Sequence, residues 1–211
     1  NKYIETLWFL LAELYKKGLL YKGYTIQPYS PAAGTGLSNH ELNQPGCYRD
    51  VKDTTCTALF RIVRDQRSER LFDGADGDVY FMAWTTTPWT LPSNVALCVN
   101  SKEDYLEFNW DGRVCIMAKE LVKAVVGDDE IEEIKTWKGE ELVGTEYEPL
   151  FDYADLQGKK AFYVVADSYV TLTEGTGIVH IAPAFGEDDA RIGHTNDLPF
   201  VQLVGTDGRM D

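Results

Sequence analysis

From about residue 54 the chain advances in short apolar runs broken by turn residues, and this limits the folds open to it. Thr57–Val63, Val79–Trp84, Val95–Val99, Tyr105–Phe108, Val114–Ala118, Ala161–Val165 and Gly177–Ile181 read as strands. Asp111-Gly112 is a two-residue hairpin signal between two of them. Val79–Trp84 is apolar at nearly every position, the pattern of a strand buried on both faces. Helical patterns in this region are few and short, at Glu120–Val126 and Glu187–Thr195. A doubly wound parallel sheet needs regular alternation of strand and helix, and that is absent. The expected fold is α+β, a closed or partly closed β-barrel core with a few peripheral helices.

The first 53 residues read differently. Ile4, Leu7, Trp8, Leu11, Leu14 and Tyr15 repeat at helical spacing, with Lys16 and Lys17 in the last turn and Gly18 placed to end the helix. Pro28, Pro31, Gly34, Gly36, Pro45 and Gly46 then make a turn-rich ribbon. We therefore expect two parts: a helix and connecting ribbon over 1–53, and a barrel domain over 54–211. The lack of an initiator Met leads us to expect a fragment of a larger protein.

With 211 residues, 44% of them hydrophobic, the chain can bury a sizeable core. Its net charge of −14 excludes a protein that wraps duplex nucleic acid, which needs clustered Lys and Arg. It does not exclude a pocket for a nucleic-acid end. Cys47, Cys56, Cys98 and Cys115 form no Cys-x-x-Cys pair, so no metal site is expected. Neither a signal peptide nor a membrane-length apolar run is evident. The expectation is a reduced, cytoplasmic, monomeric domain without a cofactor or a membrane partner.

Chemistry concentrates in two motifs. In Ala83-Trp-Thr-Thr-Thr-Pro-Trp-Thr-Leu-Pro-Ser-Asn94, Pro88 stops the preceding strand and pushes Thr87 extended. Thr85, Thr86 and Thr87 then stand at a strand end, where hydroxyls can hold a water or an ester oxygen. Any one of these threonines could instead serve as a strand former, and Asn94 could cap a turn. The second motif is Gly175-Thr-Gly-Ile-Val-His-Ile-Ala-Pro-Ala-Phe-Gly-Glu-Asp-Asp189. His180 lies in an apolar strand, as a core histidine or a pocket residue. Glu187 and Asp188 suit a helix first turn, and Asp189 at a pocket edge could pair with an ammonium group. No nucleophilic triad order, metalloprotease motif or phosphate loop is present. A hydrolase built from these parts would position water and substrate without a covalent intermediate.

Taken together, the two motifs closely resemble the editing domain of isoleucyl-tRNA synthetases. Tyr3-Ile-Glu-Thr-Leu-Trp8, Lys17-Gly-Leu-Leu-Tyr-Lys-Gly23 and Pro149-Leu-Phe-Asp-Tyr153 add to the resemblance. Thr85-Thr-Thr-Pro88, where valyl and leucyl relatives usually carry Thr-Thr-Arg-Pro, favours the isoleucyl member. The resemblance implies hydrolysis of the ester that joins misattached valine to the 3′ end of tRNA(Ile). One methylene is worth only about 1–3 kcal/mol of binding, a limit for which this family is itself the usual example. A second pocket too small for isoleucine then removes valine. On this resemblance Asp189 holds the α-ammonium, and Thr85, Thr86 and Thr87 surround ester and water. Asn94 is a polar residue needed for editing, His180 limits side-chain size, and Trp84 helps build the apolar wall. The implied partners are the 3′ end of tRNA(Ile) carrying valine and the rest of the synthetase.

One departure stands out. Many relatives carry paired zinc-binding cysteines where this chain reads Tyr29-Ser-Pro-Ala-Ala-Gly-Thr-Gly36. The ATP-dependent activation signatures are also missing, so the fragment is not expected to aminoacylate. Two other readings stay open here: a non-catalytic module for a tRNA end, and a barrel for a free small molecule. Arg61, Arg64, Arg67 and Arg70 could touch a tRNA backbone or form a solvated hairpin.

Overall fold

The computed structural model describes residues 1–23, 25–127 and 129–210. In chain order its elements are α1 (Lys2–Lys16), β1 (Tyr29–Ser30), β2 (Thr35–Gly36), α2 (Asn39–Leu42), β3 (Cys56–Arg61), β4 (Val79–Thr85), β5 (Ala96–Val99), β6 (Asp104–Trp110), β7 (Arg113–Ala118), α3 (Val122–Val126), β8 (Glu132–Lys138), α4 (Gly139–Leu142), β9 (Tyr163–Ala166), β10 (Ile178–Ile181) and α5 (Glu187–Thr195).

Eight strands form one mixed sheet in the order β8-β6-β7-β4-β10-β5-β9, with β3 paired antiparallel to β4. The sheet curls. Isolated bridges from Ile62 to Tyr147 and from Glu146 to Tyr163 tie the β9 edge back towards β3. This is the barrel-like α+β architecture expected from the strand pattern.

The pivot is β4. One edge pairs with β3 along its whole length, from Cys56 opposite Thr85 to Arg61 opposite Tyr80. The other edge is shared. Val79–Phe81 run parallel to Val114–Ile116 of β7, and Trp84 pairs parallel with Val179 of β10. Where these two ladders part, the loop before β10 stitches the gap. Thr176 accepts a hydrogen bond from Ala118 N–H through its carbonyl (2.9 Å) and from Trp84 N–H through its hydroxyl (3.1 Å).

Gly175 and Gly177 flank that threonine with φ of 74° and 69°, a conformation that favours glycine. A β-carbon at Gly177 would fall 2.3 Å from Ala118 Cβ. Gly177→Ala is therefore expected to destabilise the domain by about 2 kcal/mol or more, from backbone strain and overpacking together. A urea melt unchanged by the substitution would refute this.

Alternation along the strands serves two cores. Phe60, Phe81, Leu97, Val99, Phe108, Ile116 and Ile178 belong to the main core inside the curl. Ala96, Cys98, Val165 and Ile181 face outward, where Ile192 of α5 and Leu198 cover them. Both faces of β5 are thus buried, which is why its sequence is apolar throughout. α1 has no buried residue, and among the described residues none before Cys56 is buried. β8 has no apolar periodicity; its strand form comes from pairing with β6 at the sheet edge.

Candidate functional site

The threonine motif starts where β4 runs out. Pro88 opens a 3₁₀ helix over Pro88–Ser93, because its ring fixes φ and removes the ladder donor. The hydroxyls then form a chain. Thr85 Oγ1 accepts from Thr87 N–H (3.0 Å) and lies 3.3 Å from Thr87 Oγ1. Thr87 Oγ1 is 3.3 Å from Thr90 Oγ1, which donates to Thr87 O at 2.8 Å. Thr90 Oγ1 also meets His180 Nε2 at 3.0 Å. Since the Thr90 proton is committed to a carbonyl, Thr90 accepts from the imidazole, which assigns the hydrogen to Nε2.

His180 stands on β10 opposite Leu97 of β5. Burial lowers its pKa to about 4, so the ring is neutral at physiological pH. Its Nδ1 is buried with no partner among the described residues. β10 ends before Pro183, and Gly186 caps α5. Asp189 sits in the first turn of that helix. One of its oxygens accepts from Ala182 N–H at 2.9 Å, while burial raises its pKa above the usual carboxylate value. A β-carbon at Gly186 would fall 2.2 Å from the other oxygen, so glycine leaves room for the carboxylate. Glu187 and Asp188 are exposed, and Asp188 pairs with Arg191 on the same helix.

These pieces border an open-mouthed cavity of about 210 Å³, lined by the β4 end (Trp84, Thr85, Thr86, Thr87), Thr90, His180, Asp189, Val179, Ala182 and Phe185. It is small beside the roughly 300–1,000 Å³ typical of drug-sized ligand sites. Six of the seven residues singled out from sequence, all but Asn94, line this one space. Asn94 does not line it. Its amide donates to Ala96 O (2.8 Å) and its carbonyl accepts from Tyr147 (2.7 Å), so the side chain is buried in the fold and does not touch the cavity. Thr90, Val179, Ala182 and Phe185 were missed in the sequence. For Thr90 the signal was present: three residues past Thr87, a 3₁₀ turn puts both hydroxyls on one side.

The buried imidazole makes a prediction about pH. An unfolded histidine binds a proton below about 6.5, whereas folded His180 does so only near 4. The unfolded state thus takes up more protons in that window, and stability falls as pH drops from 6.5 to 4, by on the order of 3 kcal/mol. Asp189, with its raised pKa, opposes the trend in the acidic part of the window. Urea melts of the wild type and His180→Gln across pH 4–7 isolate the histidine contribution as their difference. A pH-independent difference would contradict the assignment.

The arginine cluster is not a free cationic surface. Arg61 pairs with Glu148 and Asp78, Arg64 with Glu69, and Arg70 with Glu141. Arg67 donates to Val143 O at 3.1 Å. A wider cleft of about 1050 Å³ opens between residues 25–31 and 200–208. Asp155 is its only charged lining residue among those described, so it lacks the convergent groups of a reaction site.

No family model matches the chain. The isoleucine–tRNA ligases of Porphyromonas gingivalis and Bacteroides fragilis are 51% and 50% identical to it over 233 and 232 residues. Both alignments cover 100% of this chain and 20% of the relative, so the chain spans about a fifth of the length of the curated relatives it matches. The isoleucine–tRNA ligase of Clostridium novyi is 48% identical over 99% of the chain and 19% of its own length. Among solved structures, GlLeuRS-CP1 superposes with a TM-score of 0.58 at 16% identity, over 67% of this chain and 59% of that one. The editing domain of P. knowlesi cytosolic leucyl-tRNA synthetase gives 0.51 at 14% identity, over 68% and 63%. At such identities the likeness concerns the fold alone. Identity near one half along the whole chain places the chain in the isoleucine–tRNA ligase family.

Proposed function

We propose that the cavity hydrolyses the ester of valyl-tRNA(Ile), as the proofreading step of an isoleucine–tRNA ligase. The observation that carries this reading is the convergence of one half-buried carboxylate, a chain of threonine hydroxyls and a neutral histidine on a single small space. In this reading Asp189 holds the α-ammonium of the amino acid. Thr85, Thr86 and Thr87 orient the ester and a water. Water adds to the ester carbonyl, the ribose oxygen leaves with a proton, and valine and tRNA separate. The rate gain comes from orientation, not from a covalent intermediate. His180, held by Thr90, bounds the side-chain end together with Trp84 and Val179, where an extra methylene would collide.

The partners are the 3′ end of valine-charged tRNA(Ile) and the remainder of the synthetase, in the cytoplasm. The domain over 54–211 carries the chemistry, and 1–53 leads into it. No metal or cofactor is required. The test is a deacylation assay with valyl-tRNA(Ile) and isoleucyl-tRNA(Ile). Valine release with isoleucine spared is expected; equal cleavage of both esters would sink the size-sieve reading. Binding of tRNA without cleavage would point instead to a non-catalytic module.

A further inference from the structure

Asn94 poses a question, because it lies outside the cavity yet belongs to the motif that builds it. It directly follows the 3₁₀ helix that carries Thr90, and its N–H donates to Leu91 O at 3.0 Å. Its side chain is held at both ends: Nδ2 donates to Ala96 O, and Oδ1 accepts from the Tyr147 hydroxyl at 2.7 Å. Fixing Asn94 therefore fixes the end of the turn on which Thr87 and Thr90 stand.

Tyr147 is placed for that task by the barrel itself. Its backbone bridges to Ile62, and its N–H donates to Phe162 O at 3.0 Å. Its ring packs edge-on to Phe60 and Phe162, with centroids 5.2 and 6.2 Å away. Phe162 is itself in the left-handed region, with φ of 61°, a conformation a bulky side chain keeps only where its surroundings force it. The Tyr147 side chain is almost fully buried, and burial pushes its phenol pKa well up, so the hydroxyl remains a donor. The packing needs only a ring. The hydroxyl satisfies the Asn94 carbonyl, which would otherwise be a buried acceptor without a donor.

We propose that Tyr147 is a positioning residue for the cavity, acting through Asn94 on the turn that carries Thr87 and Thr90. The proposal rests on the deacylase reading for its effect on rate, and its structural half can be tested without that reading. Tyr147→Phe keeps the ring and removes only the hydroxyl. Hydrogen exchange at the Thr90 and Asn94 amides is expected to accelerate about tenfold or more relative to amides of β6 and β7, the scale of one hydrogen bond lost from a buried acceptor. In deacylation of valyl-tRNA(Ile), kcat is expected to fall about tenfold with KM little changed, and Asn94→Ala added to Tyr147→Phe to lower it little further.

Exchange that rises equally throughout the sheet, with kcat per folded molecule unchanged, would make Tyr147 merely a packing residue and overturn the proposal. Local exchange that rises without any change in kcat would overturn it too. If wild-type chain does not deacylate at all, the deacylase reading falls. Exchange at the Thr90 and Asn94 amides then decides alone: a local tenfold rise supports the anchor, and wild-type exchange overturns it.

Discussion

Asp189→Asn is expected to lower deacylation of valyl-tRNA(Ile) about a hundredfold or more while the domain stays folded. Asparagine preserves the shape and can still accept from Ala182 N–H, as the native carboxylate does. What it loses is charge. A desolvated carboxylate–ammonium pair is worth on the order of 2–5 kcal/mol when one partner is removed, which sets the scale of the effect. Burial already makes the Asp189 carboxylate costly, since its pKa is raised. On the proposed function an arriving ammonium group would relieve that cost. Asp189→Ala is a poorer test, because it also strands a backbone donor. The measurement is kcat/KM for valyl-tRNA(Ile) beside a urea melt. Near-native activity in Asp189→Asn would remove the residue from its assigned role.

His180→Ala should have the second large effect, and on selectivity more than on rate. The imidazole is nearly rigid: buried, neutral and held by Thr90 at 3.0 Å. On the proposed function, replacing it with a methyl group opens the wall against which an isoleucine side chain would collide. One buried methylene is worth about 0.8 kcal/mol in transfer and more where steric overlap is relieved. Cleavage of isoleucyl-tRNA(Ile) is therefore expected to rise about tenfold or more, with valyl-tRNA(Ile) still hydrolysed. Competition between the two charged tRNAs measures this directly. If His180→Ala goes on sparing isoleucine, discrimination lies elsewhere in the cavity.

Much of this site could be read before any fold was known, and particular residues show why. Thr85, Thr86 and Thr87 were legible because Pro88 marks a strand end in sequence as it does in space. Asp189 was legible because a helix first turn follows Gly186. Joining the two motifs was another matter. They lie about 90 residues apart, and they meet through the parallel pairing of Val179 with Trp84 and the hydrogen bonds Trp84–Thr176 and Thr90–His180, none of which a local pattern encodes. Asn94 shows a different limit. The resemblance implies a polar residue needed for editing, but only the fold reveals that its amide is spent on Ala96 and Tyr147. β8 was illegible for a simpler reason. Glu132-Glu-Ile-Lys-Thr-Trp-Lys138 is mostly charged, and only pairing with β6 makes it a strand.

The fate of the arginines bears on how tRNA would reach the cavity. All four of the cluster are engaged within the chain, three of them with carboxylates, on a molecule of net charge −14. Such a surface offers little for a polyanion to hold. On the proposed function, delivery therefore depends on tethering: a charged 3′ end already held by the rest of a synthetase arrives at an effective concentration that replaces affinity. On the same reading a weak grip would favour turnover, because a tRNA stripped of its valine would leave a repelling surface and be free to be charged again.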